Sequence, residues 1–275
     1  MSTTETIRAV SYGGGVQSTA LLVLAAQRRI DFPLFLMANV GDDSEHPDTL
    51  TYVRDIATPY AAEHGIELVM LNKERNGETE TLYQKLTRPG SKSTSIPYRS
   101  KKDGPPMSRS CTAEFKMRVL GREAKRRGAS ADNPATVGIG ISLDEIHRAN
   151  RKPQAHENIV YPLVGIGEET GLKMTRLDCM NVIRDAGLPV PPKSSCYFCP
   201  FHSPGVWADL ARETPDLFEK AADLETHLRE RSIRDGNGPV YLTRFGIPLR
   251  DAIDTEQELL PLADDGSCDS GWCFT

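Results

Sequence analysis

Ser11-Tyr-Gly-Gly-Gly-Val-Gln-Ser-Thr19 joins two stretches of different period: Ile7-Arg-Ala-Val-Ser11, which reads as a short strand, and residues 16–27, rich in Leu and Ala, which read as a helix. A turn in that place offers backbone N–H groups and the positive end of a helix dipole to an anion, so it is suited to holding phosphate. Gly13, Gly14 and Gly15 let the backbone approach an anion closely, while Ser18 and Thr19 add hydroxyl donors in the first helical turn. The absence of Gly-Lys-Ser/Thr rules out a Walker A loop, and Gly13-x-Gly15-x-x-Ser18 lacks the third glycine of a dinucleotide fingerprint. The plain alternative is a Gly-rich turn that holds no ligand.

Outward from this turn, residues 32–40 read as a buried strand, 49–64 as a helix ended by Gly65, and Ile66-Glu-Leu-Val-Met-Leu71 as a third strand. Alternation of this kind predicts βαβ units and a parallel sheet. Residues 112–128 read as a basic helix, 135–141 as a strand and Ile159-Val-Tyr161 as a short last strand. Between them, residues 75–109 break the pattern with Gly, Pro, Ser and Lys, which predicts a long mobile loop. Beyond Pro162 the strand rhythm stops. Helical patterns at 175–186 and 215–231 are separated by Gly187-Leu-Pro-Val-Pro-Pro192 and the cysteine-bearing stretch 195–201. The expected organisation is an α/β domain over 1–165, with a basic loop at 75–110, followed by a helical, cysteine-bearing region over 166–275.

Composition bounds the class. The chain has 275 residues, 39% of them hydrophobic, with 33 Lys+Arg against 38 Asp+Glu for a net charge of −5, which is ordinary for a globular protein with a full core. No apolar run approaches the roughly 18 residues that a membrane span needs, and residues 1–8 carry no secretory signal pattern, so the expected location is the cytoplasm. In such a reducing compartment the 6 cysteines point to metal or redox chemistry rather than a disulfide framework. The charge is unevenly placed: residues 85–127 hold 13 basic and 3 acidic residues, a net +10 set against −15 in the rest. That asymmetry is a footprint for a polyanion such as tRNA or DNA, or else a solvated helix face with a basic loop.

Cys196-x-x-Cys199-Pro200 has a metal-chelating or redox spacing, and thiolates so placed suit an iron–sulfur cluster or Zn²⁺. Cys111 joins them only if the fold brings the two segments together. Cys179, on the helix at 175–186, is the nearest candidate for a fourth ligand, with a buried small hydrophobe as its other reading. Cys268 and Cys273 form a separate pair, open to a persulfide relay, extra metal ligands or a packed tail. The histidines share no metal-type spacing. Trp207 and Trp272 read as packing anchors. Asp42, Asp43 or Glu45 would suit Mg²⁺, while their plain reading is a turn with Asp48 starting a helix.

Taken in order, these motifs resemble the PP-loop ATP pyrophosphatases, and within them the phosphoadenosine phosphosulfate (PAPS) reductase-like family. Gly13-Gly14-Gly15-Val16-Gln17-Ser18 is similar to the loop Ser-Gly-Gly-x-Asp/Gln-Ser, with Gly13 in place of the leading Ser and Ser11 as a substitute hydroxyl. The segment 40–49 is similar to Thr-Gly-x-Glu-x-Pro-x-Thr, and Arg109-Ser-Cys-Thr-Ala-Glu-Phe-Lys116 to Arg-x-Cys-Thr-x-x-Leu-Lys. Gly140-Ile-Ser-Leu-Asp-Glu-Ile-His-Arg148 is similar to Gly-Ile-Arg-x-x-Glu-Ser-x-x-Arg, with Ser142 for the first Arg, and Cys196-Tyr-Phe-Cys199-Pro200 to the late Cys-x-x-Cys-Pro.

The resemblance implies a five-stranded parallel sheet of the adenine-nucleotide alpha-hydrolase (HUP, Rossmann-like) type with a helical cysteine-bearing extension. It implies ATP with Mg²⁺ over a loop formed by Ser11, Gly13, Gly14, Gly15, Gln17, Ser18 and Thr19, and catalytic roles for Asp42, Arg109 and Lys116. It brings Cys111 to Cys196 and Cys199, with Cys179 still only the nearest candidate for a fourth ligand, and favours [4Fe–4S] over zinc. The implied activity is an ATP-dependent sulfurtransferase that adenylylates a substrate oxygen, releases pyrophosphate and replaces the oxygen by sulfur, with a cysteine desulfurase as sulfur donor. The alternatives are a sulfonucleotide reductase of the PAPS type and a non-catalytic, zinc-stabilised nucleic-acid-binding module.

Overall fold

The computed structural model describes residues 6–92 and 95–256, so Cys268, Trp272 and Cys273 lie outside the described residues. The strands are β1 Arg8–Ser11, β2 Leu34–Asn39, β3 Glu67–Asn72, β4 Glu74–Arg75, β5 Glu78–Thr79, β6 Ala135–Ile139 and β7 Glu157–Val160. Five of them form one parallel sheet in the order β3-β2-β1-β6-β7, and β4 and β5 make a small antiparallel ribbon. In register, Val10 lies between Phe35 and Gly138, and Leu36 between Ser11 and Val69. Chain order runs one way from β1 to β3 and the other way from β6 to β7. The glycine turn leaves β1 at that reversal, where open α/β sheets bind ligands.

The helices are α1 Val16–Ala26, α2 Pro47–Tyr52, α3 Thr58–Glu63, α4 Leu82–Thr87, α5 Arg118–Arg126, α6 Arg176–Asp185, α7 Pro204–Glu213, α8 Pro215–Arg234 and α9 Leu249–Glu256. A π-helical turn, Val53–Ala57, joins α2 to α3, so the helix expected over 49–64 is continuous but widened in its middle. It starts earlier than expected: Pro47 takes the first helical position, and the His46 ring, not Asp48, caps it by accepting from the Asp48 N–H at 3.3 Å. A second π-helical turn, Thr112–Met117, leads into α5.

Strand alternation sends Val10, Phe35, Met37 and Val160 into a core shared with α1, α2, α3 and α6. The other face carries Ala9, Leu34 and Leu36, covered by Leu120. Helix α6 packs along α1 inside the first of these layers. A second core gathers Val40, Leu82, Ile96 and Phe115 with Phe198, Trp207, Phe218 and Leu228, and so fastens α7 and α8 to the segments that follow the strands. Each such aromatic or Leu side chain contributes about 1.5–3 kcal/mol by leaving water.

The stretch expected as a mobile loop is folded. Thr81 and Gln84 close a capping box that starts α4. Arg99 and Tyr241 exchange both backbone hydrogen bonds at 2.8 Å, and the Asp103 N–H reaches the Arg244 carbonyl at 2.7 Å. Gly246 sits at φ +70°, and a Cβ there would come within 2.5 Å of the Lys102 nitrogen, so the basic loop lies flat on the chain near 241–246. Its backbone partners are about 140 residues away in sequence, where no local period reports them.

Candidate functional site

The glycine turn closes on itself before it meets any ligand. Ser18 Oγ accepts from the Gly13 N–H at 3.2 Å and donates to the Gly15 carbonyl at 3.0 Å. Gly14 is held at φ +74°, and a Cβ on it would stand 2.9 Å from Thr49 Cγ2, so α2 presses on the turn from behind. Helix α1 begins with the Thr19 N–H bonding to the Gly15 carbonyl, which leaves the N–H groups before it aimed outward. Gly140, at the end of β6, faces them: a Cβ there would lie 2.9 Å from the Ser18 nitrogen. Glycine at 140 is what lets the end of β6 pack backbone to backbone against the start of α1.

The expected loop residues part company in their side chains. Thr19 is fully buried, its hydroxyl 3.1 Å from that of Tyr12, so it serves the core rather than the anion side. Gln17 turns towards the motif at 140–148: its amide nitrogen is 3.3 Å from Glu145 Oε2, and its amide oxygen accepts from Arg176 at 3.3 Å. Glu145 is itself paired with Arg148 at 2.6 Å in a buried ion pair. Ser11 lies in the sheet, and with Lys116 it lines a small cavity beneath α5.

After β2 the chain turns through Gly41 at φ +126°, where a Cβ would meet Thr81 at 2.4 Å. Asp42 accepts from Asn39 Nδ2 at 2.7 Å, and Asp43 accepts from Ser44 Oγ and Thr81 Oγ1, each at 2.8 Å. Both acids are exposed, whereas Glu45 is buried and pairs across a single β-bridge with Cys196. Two further backbone bonds, His46 N–H to Ser195 O at 3.1 Å and Tyr197 N–H to Ser44 O at 3.2 Å, sew the acidic turn to the cysteine turn. Ser194 Oγ donates to the Gly13 carbonyl, so the cysteine turn is tied to the glycine turn as well.

Cys111, Cys196 and Cys199 line one cavity together with Arg109 and Lys116, against apolar walls that include Val40, Ile96, Phe198 and Phe201. Lys116 also lines the cavity beneath α5, so one ammonium stands between the end of β1 and the thiols. The Arg109 guanidinium lies 5.5 Å over the Phe201 ring. Burial pushes the Cys196 thiol well above its ordinary pKa and Glu45 adds to the rise, while Lys116 works against it.

Cys179 is elsewhere. It is fully buried on α6 in the core beneath α1, and burial pushes its pKa up to about 12. The fold thus joins three of the four expected cysteines. Among the described residues no three His, Cys, Asp or Glu side chains converge closely enough to hold an ion. Three thiols from two segments, with two cations beside them, are nonetheless the soft donor set that iron–sulfur clusters and zinc take.

No family model matches the chain, and no curated protein matches it. Among solved structures it is similar to the U34-tRNA thiolase NcsA from Methanococcus maripaludis with its [4Fe-4S] cluster. The TM-score is 0.39 and the identity 14%, over 84% of this chain and 72% of that one.

Sequence reading gave no site role to three residues that the structure places here. Ser195 Oγ is 3.0 Å from His202 Nε2, and the His202 ring packs 4.7 Å from that of Trp207, which braces the cysteine turn. Arg176 orients Gln17. His202 follows Cys199 by three residues and carries no spacing signal of its own; its role comes from the turn that brings it back onto Ser195.

The basic segment is partly spent inside the molecule. Lys85 pairs with Glu114 at 2.5 Å, Arg88 with Glu80 at 2.7 Å, and Arg126 and Arg127 with Glu123 at 2.6 and 2.7 Å. Lys92, Lys101, Lys102, Arg118, Arg122 and Lys125 remain exposed. The last three recur at helical spacing and make one stripe along α5. No helix among the described residues is long and apolar enough to cross a membrane.

Proposed function

We propose that this chain is an ATP-dependent sulfurtransferase acting on a nucleic acid. The observation that carries the reading is the single cavity in which Cys111, Cys196 and Cys199 meet Arg109 and Lys116, on a turn tied to the glycine loop through Ser194. In the first step a substrate oxygen attacks the α-phosphorus of ATP, the new P–O bond forms, and the bond to pyrophosphate breaks. The outward amides at the start of α1 hold the polyphosphate, while Arg109 and Lys116 offset the charge that builds as pyrophosphate leaves. Asp42 and Asp43 stand at the exposed end of the acidic turn, where one or two carboxylates suit Mg²⁺. In the second step sulfide attacks the carbon that bears the adenylylated oxygen, the C–S bond forms, and AMP leaves with the C–O electron pair.

Cys111, Cys196 and Cys199 are the residues that would hold a [4Fe–4S] cluster, which when bound supplies an iron not ligated by protein on which sulfide can be carried. The apolar walls given by Val40, Ile96 and Phe198 keep bulk water from the activated carbon. The exposed stripe on α5 and the lysines of the basic loop supply the phosphate contacts of the acceptor.

The test is release of pyrophosphate from ATP and Mg²⁺ by anaerobically purified protein, with and without bulk tRNA or DNA, alongside iron and sulfide content. Acceptor-stimulated release, abolished in Lys116→Ala, is the expected result. Failure of millimolar ATP to raise the melting temperature would overturn the reading, because a ligand of the native state must stabilise it.

A further inference from the structure

We propose that a second cavity, built by the last turns of α8 and the basic loop, is a subsite for one phosphate of the nucleic-acid backbone. Its walls are Lys92, Tyr98, Arg231, Ser232, Asp235 and Asn237, closed below by Leu228, and it encloses about 320 Å³. Of its walls only Lys92 has a role above, as one of the basic-loop lysines.

Four of its side chains have no hydrogen-bond partner among the described residues. Tyr98 is nine-tenths buried, yet its hydroxyl has no hydrogen-bond partner among the described residues. The Lys92 ammonium, the Ser232 hydroxyl and the Asn237 side-chain amide likewise have none among those residues. Arg231 is half-buried, fixed by a 2.6 Å bond from Nη1 to the Leu86 carbonyl, and burial lowers its pKa. One acid, Asp235, faces the same space, and Arg234 stands close enough to act on Arg231. Two cations, two hydroxyls and an amide against one carboxylate leave a net positive, donor-rich hollow. Donors so grouped, with Tyr98 on the buried wall and Lys92 and Asn237 at the exposed rim, suit an anion with several acceptor oxygens.

Position selects the source of that phosphate. Ile96 and Pro97 line the thiol cavity and Tyr98 lines this one, so three consecutive residues form the partition between them. A strand anchored by a phosphate at Lys92 and Arg231 therefore has a neighbouring nucleotide at the mouth of the thiol cavity. The exposed Lys101 and Lys102 continue the positive surface. This assignment rests on the reading that the acceptor is a nucleic acid.

The experiment compares wild type, Lys92→Ala with Asn237→Ala, Tyr98→Phe and Asp235→Asn, each as the full chain. The probe is a fluorescein-labelled single-stranded 12-nucleotide DNA or RNA, followed by anisotropy over a series of salt concentrations; inorganic phosphate is the second arm, followed by melting temperature. The expected result is a roughly 3–10-fold loss of oligonucleotide affinity in Lys92→Ala/Asn237→Ala, with a salt slope smaller by about 0.7, the share of one single-strand phosphate. Tyr98→Phe weakens binding at unchanged slope, and Asp235→Asn strengthens it. Unchanged affinity and slope in the double variant overturn the subsite. Stabilisation by inorganic phosphate that the double variant loses, with the oligonucleotide slope unchanged, overturns its assignment to a nucleic acid. The two readings fail separately: oligonucleotide binding with the expected slope change but no pyrophosphate release sinks the sulfurtransferase and keeps the subsite, and pyrophosphate release with an unchanged slope does the reverse.

Discussion

Substituting Cys179 by alanine separates the spacing of the cysteines from their placement. The Cys179 side chain is fully buried in the core between α6 and the sheet, away from the cavity that Cys111, Cys196 and Cys199 share. Cys179→Ala removes one sulfur from a closed apolar site. The lost transfer free energy is about 1 kcal/mol for a group of that size, and the small void left behind adds roughly 0.5 kcal/mol. For a chain of this length that is a fall in melting temperature of about 3–5 °C. The metal content of the variant stays at the wild-type value, because the thiol is held on the wrong side of α1 to reach the others. Cys111→Ala, Cys196→Ala and Cys199→Ala each lose the metal. Iron, zinc and acid-labile sulfide per chain, measured on anaerobically purified proteins beside their thermal melts, decide the matter. A folded Cys179→Ala protein that has lost its metal as completely as Cys196→Ala refutes the three-thiol arrangement.

Other substitutions probe the frame around the site. Gly140→Ala drives a methyl to 2.9 Å from the Ser18 nitrogen, so the protein folds with a penalty of about 1–3 kcal/mol and loses the rise in melting temperature that ATP gives the wild type. Gly41→Ala forces both a φ of +126° and a 2.4 Å contact with Thr81, and soluble yield together with melting temperature falls steeply. Glu114 ties two segments together: burial opposes its ionisation, but hydrogen bonds from Lys85 and Ser110 outweigh it and bring the pKa from 4.5 to about 2. The lowered folded-state value means the stabilisation is complete above the ordinary carboxylate pKa and is lost as pH falls from about 4.5 towards 2. Discounted for partial exposure, it is about 1–2 kcal/mol, and Lys85→Ala, compared with wild type by urea melts at about pH 6 and pH 3, shows the smaller acid loss. An equal acid loss in both proteins counts against the pair.

The sheet was legible because its central β2 is apolar on both faces and α1, which precedes it, is long and rich in Leu and Ala. Each sheet strand lies within two residues of its reading at its start or its end. What escaped is short or is settled by distant partners. Helix α4 spans 6 residues, too few for a clear stripe, although Thr81-x-x-Gln84, like Ser203-Pro204 before α7, carried a start signal in plain view. The loop at 99–104 is ordered by backbone bonds to residues 241–244, which only the fold reveals. At the site, residue type pointed to the right segments but not to the direction of each side chain. Thr19 turns to Tyr12 because the first turn of a buried helix has a core side as well as a ligand side. Cys179 and Ile183, both fully buried, are one helical turn apart, and that spacing marks Cys179 as a core position more firmly than its distance from Cys196 marks it as a ligand.

The placement of Glu45 shows how the fold would couple nucleotide to thiol. A turn carrying Asp42, Asp43 and Glu45 is bonded by its backbone to Ser195 and Tyr197, and Ser194 reaches the Gly13 carbonyl. The glycine turn, the acidic turn and the cysteine turn are therefore parts of one stitched frame rather than of two bodies joined by a hinge. In the proposed reaction the adenylylated carbon need not travel between separate centres. The same stitching sets a constraint, because strain at Gly41 or Gly140 is passed to the cysteine turn within one or two hydrogen bonds. Loss of ATP binding in Gly140→Ala should therefore come with altered reactivity of Cys196 and Cys199 towards a small alkylating reagent, whereas a hinged arrangement would leave the thiols untouched.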